Sequence, residues 1–161
     1  MKRIVLLIWA LSLTGLSFAQ DSETQPTVDR SKLQFNLGVG YSTWGIPLYA
    51  GLDYWITEEV TLGLEATARL SIFPIYANFG GSINGNYHFG KLLDLPGEID
   101  LYAGVSAGPY YSTYSGWNKH LRFGFAGQIG GRYYFQDNMA VHLEFGGGTY
   151  SGGKIGVTLR R

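Results

Sequence analysis

Three histidines, a few serines and a set of charged side chains are the residues of this chain that could do chemistry. His120 lies close to Ser112 and Ser115, and a hydroxyl beside an imidazole is the start of an acyl-transfer site. Such a site also needs a carboxylate to orient the base, and none is near in the sequence. His88 and His142 share no metal-ligand spacing, and the chain has no cysteine to complete a zinc set. The stretch GTYSGGK, from Gly148 to Lys154, superficially matches a phosphate loop. Ile155 stands where that loop needs Ser or Thr, and a strand pattern follows where a helix should begin. No catalytic residue, cofactor site or metal site is therefore expected.

The charges form a more coherent group. The bases are Arg69, Arg122, Arg132, Lys154 and Arg160; the acids are Asp53, Glu65, Asp100 and Glu144. Their near-balance suits a network of ion pairs and hydrogen bonds, because unpaired charges away from water are costly. What must position them is visible in VTLGLEATARL, Val60 to Leu70. One parity holds Val60, Leu62, Leu64, Ala66, Ala68 and Leu70; the other holds Thr61, Gly63, Glu65, Thr67 and Arg69. This is a strand with one apolar face and one face mixing glycine with charge.

The pattern repeats. Eight strands are predicted at Leu33–Ser42, Ile46–Tyr54, Val60–Ser71, Ile75–Phe89, Ile99–Tyr114, Leu121–Phe135, Met139–Thr149 and Lys154–Arg160, separated by short breakers. Short connections favour an up-and-down antiparallel meander. The apolar faces collected from these strands carry no charge. The opposite faces carry the charges above with His88, His142, Tyr102, Tyr134, several asparagines and most of the glycines.

A soluble barrel would turn the apolar faces inward. Its wet outer face would have no use for so much glycine, which weakens strands and packs nothing. A narrow eight-stranded lumen does need small residues beside long charged ones. An outward Lys or Arg in a bilayer would cost about 2–4 kcal/mol at the midplane, and the apolar faces have none. Aromatics gather near the strand ends: Tyr41, Trp44, Phe73, Tyr111, Tyr114 and Trp117 at one end, Tyr54, Trp55, Tyr87, Phe89, Tyr133 and Phe135 at the other, as in interfacial girdles. The expected fold class is all-β, an eight-stranded antiparallel up-and-down transmembrane barrel.

The ends fit that reading. Lys2 and Arg3, the apolar run Ile4–Leu13 and the small-residue site before Gln20 make residues 1–19 a secretory signal peptide, cut after Ala19. Residues 20–31, QDSETQPTVDRS, read as a flexible leader. Residues 32–161 form the barrel domain. The full chain has twelve basic and twelve acidic residues; losing Lys2 and Arg3 leaves ten against twelve, so nothing attracts nucleic acid.

Signal, polar leader and amphipathic strands together resemble the small outer-membrane β-barrels, the OmpA/OmpX-like class. The "SFAQ" junction, LDYWITEEVTLGLEA and IDLYAGVSAG (Ile99–Gly108) look like the versions common in Bacteroidetes-type bacteria. The chain departs from that family in ending Leu159-Arg160-Arg161 instead of on an aromatic residue, and in having short outer loops. The resemblance implies an outer-membrane protein surrounded by lipid, handled by the barrel assembly machinery during biogenesis, and monomeric.

Within that frame, Asp53, Glu65, Arg69, Asp100, Arg122, Arg132, His142, Glu144 and Lys154 are expected to form a polar lumen network, with Glu65, Glu144 and Arg132 at its heart. The largest outer loop places Tyr114, Trp117, Asn118, Lys119 and His120 together as a possible surface contact. The expected role is structural, maintaining the envelope without catalysis. The alternatives are a narrow pore, ligand binding at that loop, and a lipid A-modifying enzyme.

Overall fold

The computed structural model describes residues 33–42, 45–71, 76–113, 121–149 and 152–161. The expected signal peptide and leader, and the loop residues Tyr114, Trp117, Asn118, Lys119 and His120, lie outside them. Eight strands follow one another: β1 (Gln34–Tyr41), β2 (Ile46–Trp55), β3 (Val60–Ser71), β4 (Tyr76–His88), β5 (Ile99–Ser112), β6 (Arg122–Gln136), β7 (Met139–Gly148) and β8 (Gly153–Arg160). Each pairs antiparallel with its sequence neighbours, and β8 closes on β1 through eight consecutive partners from Gln34↔Arg160 to Tyr41↔Gly153. Closure satisfies both edges, which is what a sheet in lipid requires.

Side-chain alternation decides the two surfaces. Leu37, Val39, Ile83, Val105, Phe125 and Ile129 all point outward and are exposed. Asp53, Arg69, Arg132, His142, Glu144 and Lys154 point inward and are buried. A water-soluble protein buries the first group and exposes the second. Here the order is inverted, as it is in barrels whose outer face meets hydrocarbon.

The strands are strongly staggered. Following paired residues from Gln34 at the start of β1 leads through Asp53, Gly63, Asn84, Ser106 and Ala126 to Gly148 at the far end of β7. A row perpendicular to the strands thus climbs from one mouth to the other. We call the mouth carrying Leu33, Arg161 and the β2–β3, β4–β5 and β6–β7 turns proximal, and the opposite mouth distal.

Lumen glycines make room for neighbours. A Cβ on Gly63 would lie 2.2 Å from Asp53 Oδ1, and one on Gly130 would lie 2.4 Å from Tyr102 Cζ. Gly148 adds a backbone reason: at φ 122° it ends β7 in a conformation few other residues adopt.

Strand ends differ from the sequence expectation by two residues at most, and β3 matches it throughout. One face assignment changes. Trp55, expected in the outer girdle, extends β2 by one residue and shares the parity of Asp53. It is buried in the lumen with its ring 4.2 Å from that of His88. The inward face therefore does include a large apolar ring.

Candidate functional site in the barrel lumen

The charged residues meet in two centres. The lower, proximal one is built on Arg132 of β6. Its Nη2 lies 2.5 Å from Asp53 Oδ2 on β2, and its Nη1 donates to Gln34 Oε1 at 2.6 Å and faces Asp100 Oδ2 at 3.6 Å. Asp53 also accepts from Asn36 Nδ2 at 2.8 Å and Asn84 Nδ2 at 3.2 Å. Three N–H groups from three strands, β1, β4 and β6, thus converge on one buried carboxylate, which is what keeps such a charge tolerable.

The upper centre is built on Lys154 of β8. Its Nζ donates to both oxygens of Glu65, at 2.8 and 2.9 Å, and lies 3.1 Å from Glu144 Oε1. Thr67 donates to Glu65 Oε1, and Tyr102 OH donates to Glu144 Oε2 at 3.1 Å. Tyr102 links the centres, because the guanidinium of Arg132 stacks 4.8 Å from its ring centroid.

The histidines are pinned by directional chains. Thr158 gives its proton to Asn36 Oδ1, so it accepts from His142 Nδ1. His142 Nε2 then accepts from Tyr49 OH at 2.5 Å. His88 Nδ1 lies 2.7 Å from Asp100 Oδ1, and its Nε2 is hydrogen-bonded to Thr61 Oγ1 at 3.0 Å. Thr61, His88 and Asp100 form a hydroxyl–imidazole–carboxylate series, but Thr61 is wholly buried and gives a substrate no approach. Ser106, Gln128 and Asn86 continue the network back to Thr61.

Of the sequence-selected residues, Asp53, Asp100 and Arg132 meet in the lower centre, and Glu65, Glu144 and Lys154 in the upper. Arg132 was expected beside Glu65 and Glu144; its carboxylates are aspartates, and the glutamates share Lys154. The barrel's stagger explains this, because it lowers Arg132 to the level of Asp53. His142 lies between the centres, bonded to Tyr49 and Thr158. Arg69 is buried nearer the distal mouth, donating to the Thr149 carbonyl at 3.1 Å. Arg122 lies at the distal end of β6 and is exposed. Arg160, near the proximal mouth, stacks 4.2 Å over Tyr134 and has no ion pair among the described residues. Tyr49, Thr61 and Gln34 were missed as network members. Strand parity could have found Tyr49, since it falls on the same face as Gly51 and Asp53. Among the described residues no cluster of His, Asp and Glu could hold a metal ion.

An inward polar plug within an outward apolar belt defines the class: this is the fold of the eight-stranded transmembrane β-barrels. The chain is similar to the N-terminal β-barrel domain of Pseudomonas aeruginosa OprF, with a TM-score of 0.59, 18% identity, and 81% of this chain and 98% of that one covered. It is similar to Neisserial surface protein A, with a TM-score of 0.58, 10% identity, and coverage of 81% and 95%. A de novo designed transmembrane β-barrel matches with a TM-score of 0.55, 17% identity, and coverage of 81% and 96%. No family model and no curated protein sequence matches the chain.

Proposed function

We propose that this protein is a structural barrel of the bacterial outer membrane, an envelope-maintaining element with a sealed lumen and no catalytic role. The observation that carries this reading is the filled interior. At the upper centre Lys154 draws Glu65 and Glu144 together from strands β3 and β7, and beneath it Arg132 ties β6 to β2. An interior of eight strands is just wide enough for side chains to fill, and these cross it. Export through the signal peptide cut after Ala19, delivery by the barrel assembly machinery, and a monomer in outer-membrane lipid belong to the same reading.

The test is planar-bilayer conductance of protein refolded in detergent, once a gel-mobility shift on boiling has shown that the barrel formed. A folded, silent protein is expected. Steady, discrete openings would overturn the sealed-lumen reading in favour of a narrow pore.

A further inference from the structure

The β4–β5 turn stands apart from the other described turns. Its chain runs Phe89 to Glu98, and it begins as one helical turn: Leu93 N–H donates to the Phe89 carbonyl, and Leu95 N–H to the Gly90 carbonyl, both at 2.9 Å. Asp94 lies between at φ 48°, the left-handed position that closes such a turn. This ordered unit displays leucines. Leu92 is 68% exposed and Leu93 is 54% exposed.

Their direction follows from helical spacing. Residues three and four apart share a face, so Leu92 and Leu93 lie over Phe89. The Phe89 ring meets that of Tyr87 edge to face, with centroids 5.2 Å apart, and Tyr87 is on the outward face of β4. The apolar belt thus runs without a break from the strand into the turn. The neighbouring β2–β3 turn is fixed beside it. Lys91 Nζ lies 3.1 Å from Glu58 Oε2 and 3.3 Å from Glu59 Oε1, and Ile56, which follows the outward parity of β2, is exposed as well.

We infer that the β4–β5 turn is a membrane-interface anchor: Leu92 and Leu93, with Ile56 beside them, enter the lipid at the proximal face of the bilayer. The occupant of this surface is a phospholipid leaflet, because the patch is continuous with the face that already meets lipid. A hydrophobic face bordered by the Lys91–Glu58 and Lys91–Glu59 pairs suits the boundary between acyl chains and water.

The absence of cysteine makes the test clean. Leu92→Cys and Leu93→Cys, each labelled with an NBD group, are refolded as whole chains in dioleoylphosphatidylcholine vesicles. Asn138→Cys in the β6–β7 turn is the comparison, and boiling-dependent gel mobility reports folding for each. The expected result is blue-shifted emission at positions 92 and 93, quenched several-fold more by doxyl-labelled lipid than at 138 and shielded from aqueous iodide. Iodide access equal to that at 138, with no response to doxyl lipid, would overturn the inference and leave the leucines to a protein partner.

Discussion

Arg132 Nη2 and Asp53 Oδ2 lie 2.5 Å apart although their strands, β6 and β2, stand on opposite walls of the ring. The contact is a strut across the lumen. Both side chains are almost fully buried, so breaking it leaves an uncompensated charge. Arg132→Met and Asp53→Ala are each expected to lower unfolding free energy by about 3–5 kcal/mol. The double variant should lose less than the sum, because the two act as a unit. Urea titration of barrels in vesicles, read by tryptophan fluorescence, measures all three. Additive losses would show that no strut exists.

Arg160 gives the contrast. Among the described residues its Nε and Nη2 are buried without hydrogen-bond partners, and the ring of Tyr134 lies 4.2 Å beneath the cation. Arg160→Met removes a poorly solvated charge and a cation–π contact of about 1–2 kcal/mol. These effects oppose each other, so the net change in the same titration should stay under about 1 kcal/mol. A loss as large as that of Arg132→Met would show that Arg160 has a stronger partner.

The alternation of residue types made the strands legible. Every strand reads correctly at period two, because a lipid-facing surface admits no exceptions and a crowded lumen demands polar or small side chains. Partnerships within the lumen were not legible. Which side chains share a level depends on register accumulated over eight interfaces, so a small offset at each one moves Arg132 from the glutamates to the aspartates. Trp55 failed for a related reason. At a strand end an aromatic fits either face, and only the extra residue of β2 turned it inward against His88. Tyr49 escaped notice because a tyrosine between Leu48 and Ala50 looks like belt.

Glycines should divide by face. A methyl group at Gly63 collides with Asp53 and Asn84 side chains, whereas one at Gly127 meets nothing within 4 Å. Gly63→Ala is expected to cost about 1–3 kcal/mol through overpacking. Gly127→Ala should be neutral or gain up to about 1 kcal/mol from reduced chain entropy. Chemical unfolding of the pair, side by side, checks the inside–outside assignment without touching a charge.

The tie between the proximal turns has a defined pH response. The hydrogen bonds and charges of Glu58 and Glu59 raise the Lys91 pKa above its ordinary value. A raised ammonium contributes fully below its unfolded pKa and loses that contribution as pH climbs through the folded one. The tie should therefore hold throughout neutral pH and release only in alkali, with salt weakening it because it is exposed. Amide exchange of the β4–β5 turn should be unchanged from pH 6 to 8 and faster in Lys91→Met, with global stability little altered.

Lys154 has a further consequence, for the order in which the molecule can form. It belongs to β8, the last strand, and it is the cation on which both Glu65 and Glu144 close. Asn36 and Thr158, which bond directly, are 122 positions apart in the chain. Until the final strand arrives, a partly assembled sheet holds two glutamates with no ammonium between them and an open seam at β1. Charge neutralisation of Glu65 and Glu144 and closure of the β1–β8 seam thus both depend on the same strand. The lower centre, joining β6 to β2, does not depend on β8, so the two halves of the lumen network differ in what completes them: the upper one is tied to barrel closure.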